Sequence, residues 1–146
     1  MRPLTTPLVL LLGLGLLLTA CAGSAAIPED PAPSDPAEVK VTLSDFKIEM
    51  SQTEFQTGVP YEFVVTNNGA VAHELMLMAP VEDGTMDMEE MDEMAVAMFE
   101  DEELTPGVTV TQTITFPAPG DSSLEAACHL PGHYEAGMRL PLTITS

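Results

Sequence analysis

Cys128-His129-Leu130-Pro131-Gly132-His133-Tyr134-Glu135-Ala136-Gly137-Met138 is the stretch on which the reading of this chain turns. It presents a thiol, an imidazole and a thioether at the spacing Cys-x4-His-x4-Met. Thiolate and thioether are soft donors that favour Cu(I), and imidazole suits both oxidation states of copper. A trigonal set of two imidazoles and one thiolate, with a weak axial thioether, is a known copper arrangement. The loop lacks the second imidazole, so the fold must deliver it from elsewhere. The chain has three His. His129 is the immediate neighbour of Cys128, so His73, in Val71-Ala72-His73-Glu74-Leu75, is the best candidate. Taken singly, each residue has an ordinary explanation. A buried Cys packs as a small hydrophobe, a Met fills gaps in a core, a loop His is solvated, and His73 could be a satisfied core His. Their joint occurrence at this spacing is what argues for a metal site.

Outward from the loop, the chain reads as short strands. Val39, Val41 and Leu43 alternate with Lys40, Thr42 and Ser44, and Phe46, Ile48 and Met50 continue the alternation past Asp45. This is the two-residue period of a half-buried strand. Tyr61, Phe63 and Val65 form the next strand, closed by Asn67-Asn68-Gly69, residue types that tolerate positive φ. Val71, His73, Leu75 and Leu77 share one parity, which predicts His73 near the start of a strand, at the rim of the core. Val108, Val110, Gln112, Ile114 and Phe116 give another strand, between Pro106-Gly107 and Pro117. A shorter strand runs from Ser123 into the loop at Cys128, and Leu140, Leu142 and Ile144 finish the series. Many short strands with Gly/Pro turns predict an all-β, antiparallel sandwich from Glu38 to Ser146. A domain of this size buries about two-thirds of its unfolded surface and folds without disulfides.

One stretch departs from this pattern. Between Glu82 and Glu103 there are eleven acidic residues and no basic one. Met88, Met91, Ala95, Met98 and Phe99 fall at helical spacing, and Asp87 with Glu90 has the form of a capping box. A short amphipathic helical insert is expected, acidic outward and Met-rich inward. Met76, Met78, Met86, Met88, Met91, Met94 and Met98 could also offer thioethers to Cu(I). The helical spacing already accounts for most of them as packing residues, so a structural helix is the expectation.

The loop, with His73, resembles that of the cupredoxin family, the plastocyanin- and azurin-like blue copper proteins. Pro131-Gly132 ahead of His133 and Gly137 ahead of Met138 also match the family's loop. The resemblance covers Glu38 to Ser146 and implies a Greek-key β-sandwich holding one type 1 copper. It implies His73, Cys128, His133 and Met138 as the ligands. It further implies single-electron transfer through an apolar patch around His133, made by Leu130, Pro131, Ala136 and Gly137 with Gly69 and Ala70. The chain departs from the family at Glu74, where many members carry Asn, and at Leu140, where many carry Gly. Multicopper oxidases place extra His on both sides of the site Cys. Here Ala127 takes one of those places, and three His cannot build a further cluster, so an enzyme is not expected.

The N-terminus reads as a targeting segment. An apolar run from Leu8 to Leu18 follows Arg2; it is too short to span a bilayer and fits a signal-peptide core. It ends in Leu18-Thr19-Ala20-Cys21, which resembles a bacterial lipobox, so residues 1–21 are expected to be a signal peptide with Cys21 as the lipidation site. Ordinary cleavage nearby, with Cys21 incidental, is the alternative. Residues 22–37 alternate Pro28, Pro31, Pro33 and Pro36 with Ala, Ser, Glu and Asp, a composition that favours an extended linker. With Cys21 acylated, Cys128 is left as a single thiol in an oxidising compartment, and metal ligation gives it a reason. The formal net charge of −19 excludes nucleic acid as a partner, since no basic patch exists to meet phosphate. It would steer in a basic redox protein instead. An exported, membrane-anchored monomer of the cell envelope, on its periplasmic side, is expected. Two functions fit: an electron carrier, or a copper-binding tolerance or delivery protein that makes more use of the Met-rich insert.

Overall fold

The structure, a computed structural model, describes residues 35–81, 86–117 and 123–146. The expected signal peptide, Cys21 and most of the Pro-rich linker lie outside the described residues, as does the start of the acidic insert. Two sheets face each other across one core. The first has four strands in the order β2 (Lys47–Met50), β1 (Ala37–Ser44), β4 (Pro60–Asn67), β7 (Thr109–Thr115), and the second has five, β3 (Glu54–Gln56), β9 (Arg139–Thr145), β8 (Ser123–Ala127), β5 (Leu75–Met78), β6 (Ala97–Phe99).

In the first sheet, β1 (Ala37–Ser44) and β4 (Pro60–Asn67) carry the strict alternation seen in the sequence. Val39, Val41, Leu43, Tyr61, Phe63 and Val65 point inward and are buried. β1 and β4 pair in parallel, as do β3 (Glu54–Gln56) and β9 (Arg139–Thr145). The sandwich is therefore not antiparallel throughout. Parallel neighbours need a crossover, and here the chain between β1 and β4 makes one, passing through β2 in the first sheet and β3 in the second.

The run from Val39 to Met50 is a hairpin rather than a single strand. Ser44 pairs with Lys47, leaving Asp45-Phe46 as a two-residue turn before β2 (Lys47–Met50). Phe46 adopts φ +62° and is 53% exposed, not inward-facing as its parity suggested. A bulky side chain in the left-handed region carries strain of about 1–3 kcal/mol.

β5 (Leu75–Met78) is buried on both faces. Leu75 and Leu77 join the main core, while Met76 and Met78 join a second, smaller cluster with Met91. That cluster lies beneath α1 (Met88–Met94), whose capping box between Asp87 and Glu90 is present as expected. The helix is shorter than its sequence spacing suggested. Ala95 is already extended, and Met98 and Phe99 belong to β6 (Ala97–Phe99), paired with β5. The backbone edge of β5 that β8 leaves open pairs with β6, and these strand hydrogen bonds take the place of a further helical turn. β7 (Thr109–Thr115) and β8 (Ser123–Ala127) fall where expected, and β8 leads directly into Cys128.

Candidate metal centre

Cys128 follows the last residue of β8, and Met138 precedes the first of β9. The two strands are hydrogen-bonded neighbours, so the ten-residue step between these side chains begins and ends at one edge of the sheet. Cys128 N–H donates to Met138 O at 3.1 Å, and Met138 N–H donates to His133 O at 3.1 Å. Gly132 and Gly137 turn the loop at φ +83° and +94°, a region that glycine enters without steric cost. The loop thus closes on itself and presents Cys128, His133 and Met138 inward.

His73 arrives from the other side. It precedes β5 rather than lying in it, and its N–H donates to Leu104 O at 3.2 Å. The approach of the segment before it is set by Asn67, which is fully buried. The Asn67 amide donates to Val71 O and Leu104 O, and its Oδ1 accepts from Gly69 N–H. Three donor atoms then meet. His73 Nδ1 lies 3.3 Å from His133 Nδ1, and Cys128 Sγ lies 3.3 Å from the same His133 Nδ1. The ligating atoms of His73, Cys128 and His133 all fall within 4.8 Å of one another. Met138 is fully buried beside Cys128 in the core. Among the described residues, no other group of His, Cys, Asp and Glu converges in this way.

Burial favours the neutral forms of Cys128 and His73. Burial pushes the Cys128 thiol above its usual range, so this protein alone does not favour a thiolate there. Burial, and then the neighbouring His133, hold the His73 imidazole below its ordinary value, against the pull of Asp45. A neutral imidazole is the ligating form. His73 Nε2, on the far side of the ring, is buried and has no hydrogen bond of good geometry; its nearest partner is Asp45 Oδ1, at 3.5 Å. A carboxylate behind a ligating His orients the ring and strengthens it as a donor. Asp45 is itself held by the Ala70 N–H at 3.0 Å. Phe46, next in the turn, sets its ring edge-on to His133, with centroids 5.3 Å apart.

Comparison with known proteins agrees with this geometry. No protein-family model matches the sequence, and no match is found among curated protein sequences. Solved structures do match. Reduced auracyanin from the photosynthetic bacterium Roseiflexus castenholzii superposes with a TM-score of 0.58 at 22% identity, over 77% of this chain and 100% of that one. Auracyanin A, a "blue" copper protein from Chloroflexus aurantiacus, gives 0.53 at 22% identity, over 75% of this chain and 99% of that one. The chain has the cupredoxin fold. A multi-copper oxidase from Pediococcus acidilactici also matches, with a TM-score of 0.54 at 17% identity, over 84% of this chain but 29% of that one. Within the cupredoxin fold, His73, Cys128, His133 and Met138 are arranged as a type 1 copper site.

At the position where many cupredoxins carry Asn, this chain has Glu74. Glu74 is buried, and its Oε1 accepts the N–H of His129 at 2.6 Å, tying the ligand loop to the segment that carries His73. The outer side of the loop is braced by Tyr134, which stacks on His129, donates to Glu125 Oε1 at 2.7 Å and accepts from Arg139 Nη1 at 2.9 Å. Asp45, Phe46 and Asn67 were not singled out from sequence as site residues. The Asn-Asn-Gly turn was the only signal for any of them, and it indicated a turn rather than a scaffold for His73.

Burial pushes the Glu74 carboxyl above its usual value, the His129 N–H only partly opposing this. A carboxyl whose folded pKa is raised stabilises the fold fully below its unfolded pKa, and that contribution is lost as pH rises through the folded value. Glu74→Gln keeps an acceptor for His129 and removes the buried charge. In the metal-free protein this variant is expected to raise the Tm at neutral pH by several degrees, about the effect of 1 kcal/mol in a domain of this size. At pH 4 the gain should vanish, since wild-type Glu74 is then protonated too. Calorimetry at the two pH values checks this, and a gain of equal size at both would contradict it.

Proposed function

We propose that this chain is a mononuclear type 1 copper protein that carries single electrons between redox partners in the bacterial cell envelope. The observation that carries the reading is the meeting of His73, Cys128 and His133 within 4.8 Å, with Met138 buried alongside. The donor set is soft at two of its four positions and contains no carboxylate, which suits copper better than a hard cation. Copper held there supplies a one-electron couple. The residues do the rest. The closed loop and the buried His73 hold the donors in one geometry, so little rearrangement accompanies a change of charge. Cys128 and Met138 are fully buried and keep water from the ligands.

His133 is the half-buried ligand, and it offers the shortest route for an electron to the surface. Pro131, Gly132, Ala136 and Gly137 are exposed around it, and Phe46 adds an aromatic ring that the sequence had not assigned to this face. A redox protein with a basic surface is the expected partner, given the net charge of −19 and the steering it produces. Three His in the whole chain favour a carrier over an oxidase. Cu(II) added to the metal-free protein is expected to give an intense absorption in the red at one copper per chain. A colourless one-to-one complex would overturn the reading.

The carrier is further proposed to be anchored by acylated Cys21, with residues 22–37 as a spacer of roughly 50 Å when extended. The support is the lipobox-like Leu18-Thr19-Ala20-Cys21. Mass spectrometry of the native N-terminus is expected to find diacylated or triacylated Cys21, since stable anchoring takes at least two chains. An unmodified N-terminus at another residue would remove the anchor from the proposal.

A further inference from the structure

We propose that the cleft between α1 and the ligand loop is a second metal site, a thioether-rich Cu(I) site formed by His129 with Met86, Met88 and Met91. The cleft has a volume of about 390 Å³, and these four side chains line it together with Asp87 and Glu135. It shares no residue with the site formed by His73, Cys128, His133 and Met138.

The first observation is His129. Its Nε2 is buried and has no hydrogen-bond partner among the described residues. A buried polar nitrogen without a partner is uncommon and calls for an explanation. Its ring lies flat on Tyr134, at 4.6 Å and 17°, which fixes the imidazole plane. The Sγ of the adjacent Cys128 is turned to His133 instead, so the two neighbouring side chains serve different sites.

The second observation is where the methionines lie. Seven of the chain's ten fall between Met76 and Met98. Packing accounts for Met76, Met78 and Met91, which form the small core beneath the helix, and for Met86 and Met98, which pack against it. It does not explain Met88, which lines the cleft yet is 42% exposed. An adaptable thioether open to solvent fills no gap. Met86 is half-buried and lines the same cleft from the other side of the capping box.

The donor chemistry then selects the ion. Thioether sulfur is neutral and soft and binds Cu(I) in preference to Zn²⁺ or Ca²⁺. The carboxylates do not redirect this choice. Asp87, whose Oδ1 already accepts the Glu90 N–H in the capping box, and Glu135 are the two carboxylates on the cleft, too few for a hard cation that takes six or more oxygens. The inference goes beyond one-electron transfer. It gives the acidic, Met-rich insert a copper-holding role, against the expectation from helical spacing that the insert is structural only.

The test is an anaerobic Cu(I) titration of the full chain against a chelator of known affinity. Wild type is expected to take up two Cu(I), and Cys128→Ser to retain one. Adding Met88→Leu or His129→Gln to Cys128→Ser should weaken that remaining site at least tenfold. A stoichiometry of one in wild type overturns the proposal, as does an affinity in Cys128→Ser that neither added change alters. Wild type gives an independent check that needs no variant. The second equivalent of Cu(I) should shift the methyl resonances of Met88 and Met91 and the ring of His129, and shifts confined to Met138 and His133 overturn it. Failure of the electron-carrier reading looks different: no red absorption with Cu(II), but a Cu(I) ion still lost on Met88→Leu.

Discussion

Cys128→Ser is expected to abolish the red absorption and to weaken Cu(I) binding at the four-ligand site by well over about 100-fold, more than the loss of an outer-shell partner costs. The thiolate is the strongest soft donor in the set and would give a bound copper its charge-transfer colour, whereas the Met138 thioether would be a weak donor. The fold should survive the change. Cys128 is held through its backbone N–H on Met138 O, which the substitution leaves alone. Its side chain lies 3.3 Å from His133 Nδ1, where a serine hydroxyl finds a partner. Met138→Leu should by contrast keep copper bound and raise the reduction potential, because losing an electron-donating thioether disfavours Cu(II). His73→Ala and His133→Ala should open a position that added imidazole refills. Optical spectra of the set decide the matter. A blue Cys128→Ser protein would show that the thiolate is not the ligand assigned here.

The ligand loop was legible because its three donors are local: their spacing is written in consecutive residues, and the glycines that turn the loop stand beside them. The facing strands were legible for the same reason, since burial follows a two-residue period within each. What the sequence did not carry was pairing between distant segments. Nothing in the periodicity of Val39 to Leu43 says that β1 lies parallel to β4. The four-residue β5 reads as one apolar face when Val71, His73, Leu75 and Leu77 are counted, yet Met76 and Met78 are buried on the other, because a second layer covers that face. β3, three residues long with one buried side chain, Phe55, is too short to show a period.

Asp45 and Phe46 were the costliest omission. The alternation changes phase there, from odd-numbered Val39, Val41 and Leu43 to even-numbered Phe46, Ile48 and Met50, and that slip is the trace of the turn; the positive φ of Phe46 leaves none in hydropathy. The turn they form supplies both the carboxylate behind His73 and the ring against His133. The strain at Phe46 therefore sits at the rim of the metal centre, where strained residues concentrate. Glu74 was noticed as a departure from the family pattern, but its bond to His129 N–H depended on a contact across 55 residues of sequence.

Gly69→Ala is expected to damage the site from outside it. Gly69 does not owe its identity to backbone conformation, since it is not among the positive-φ residues of the described chain. It owes it to space. A Cβ at this position would stand 2.6 Å from His73 Nε2, 2.6 Å from Asp45 Oδ1 and 3.1 Å from Asn67 Oδ1. These neighbours differ in how far they can yield. The Asp45 side chain is 46% exposed and can swing into water, giving up its bond to Ala70 N–H. His73 is fully buried and is confined by the core on its other sides. The added methyl should therefore expel the carboxylate and also tilt the imidazole, moving Nδ1 away from Cys128 and His133. Loss of an outer-shell partner alone costs about 10–100-fold in metal affinity. Asp45→Ala should fall in that range and raise the potential, since it removes negative charge but leaves the ring in place. Gly69→Ala should weaken Cu(I) binding further than Asp45→Ala and shift the red absorption, because it moves a ligand as well. Chelator competition and optical spectra of the two variants make the comparison. If Gly69→Ala matches Asp45→Ala in both, the imidazole has not moved and the carboxylate accounts for the whole effect. If Gly69→Ala matches wild type, the close approach of Gly69 to His73 plays no part in holding the ligand.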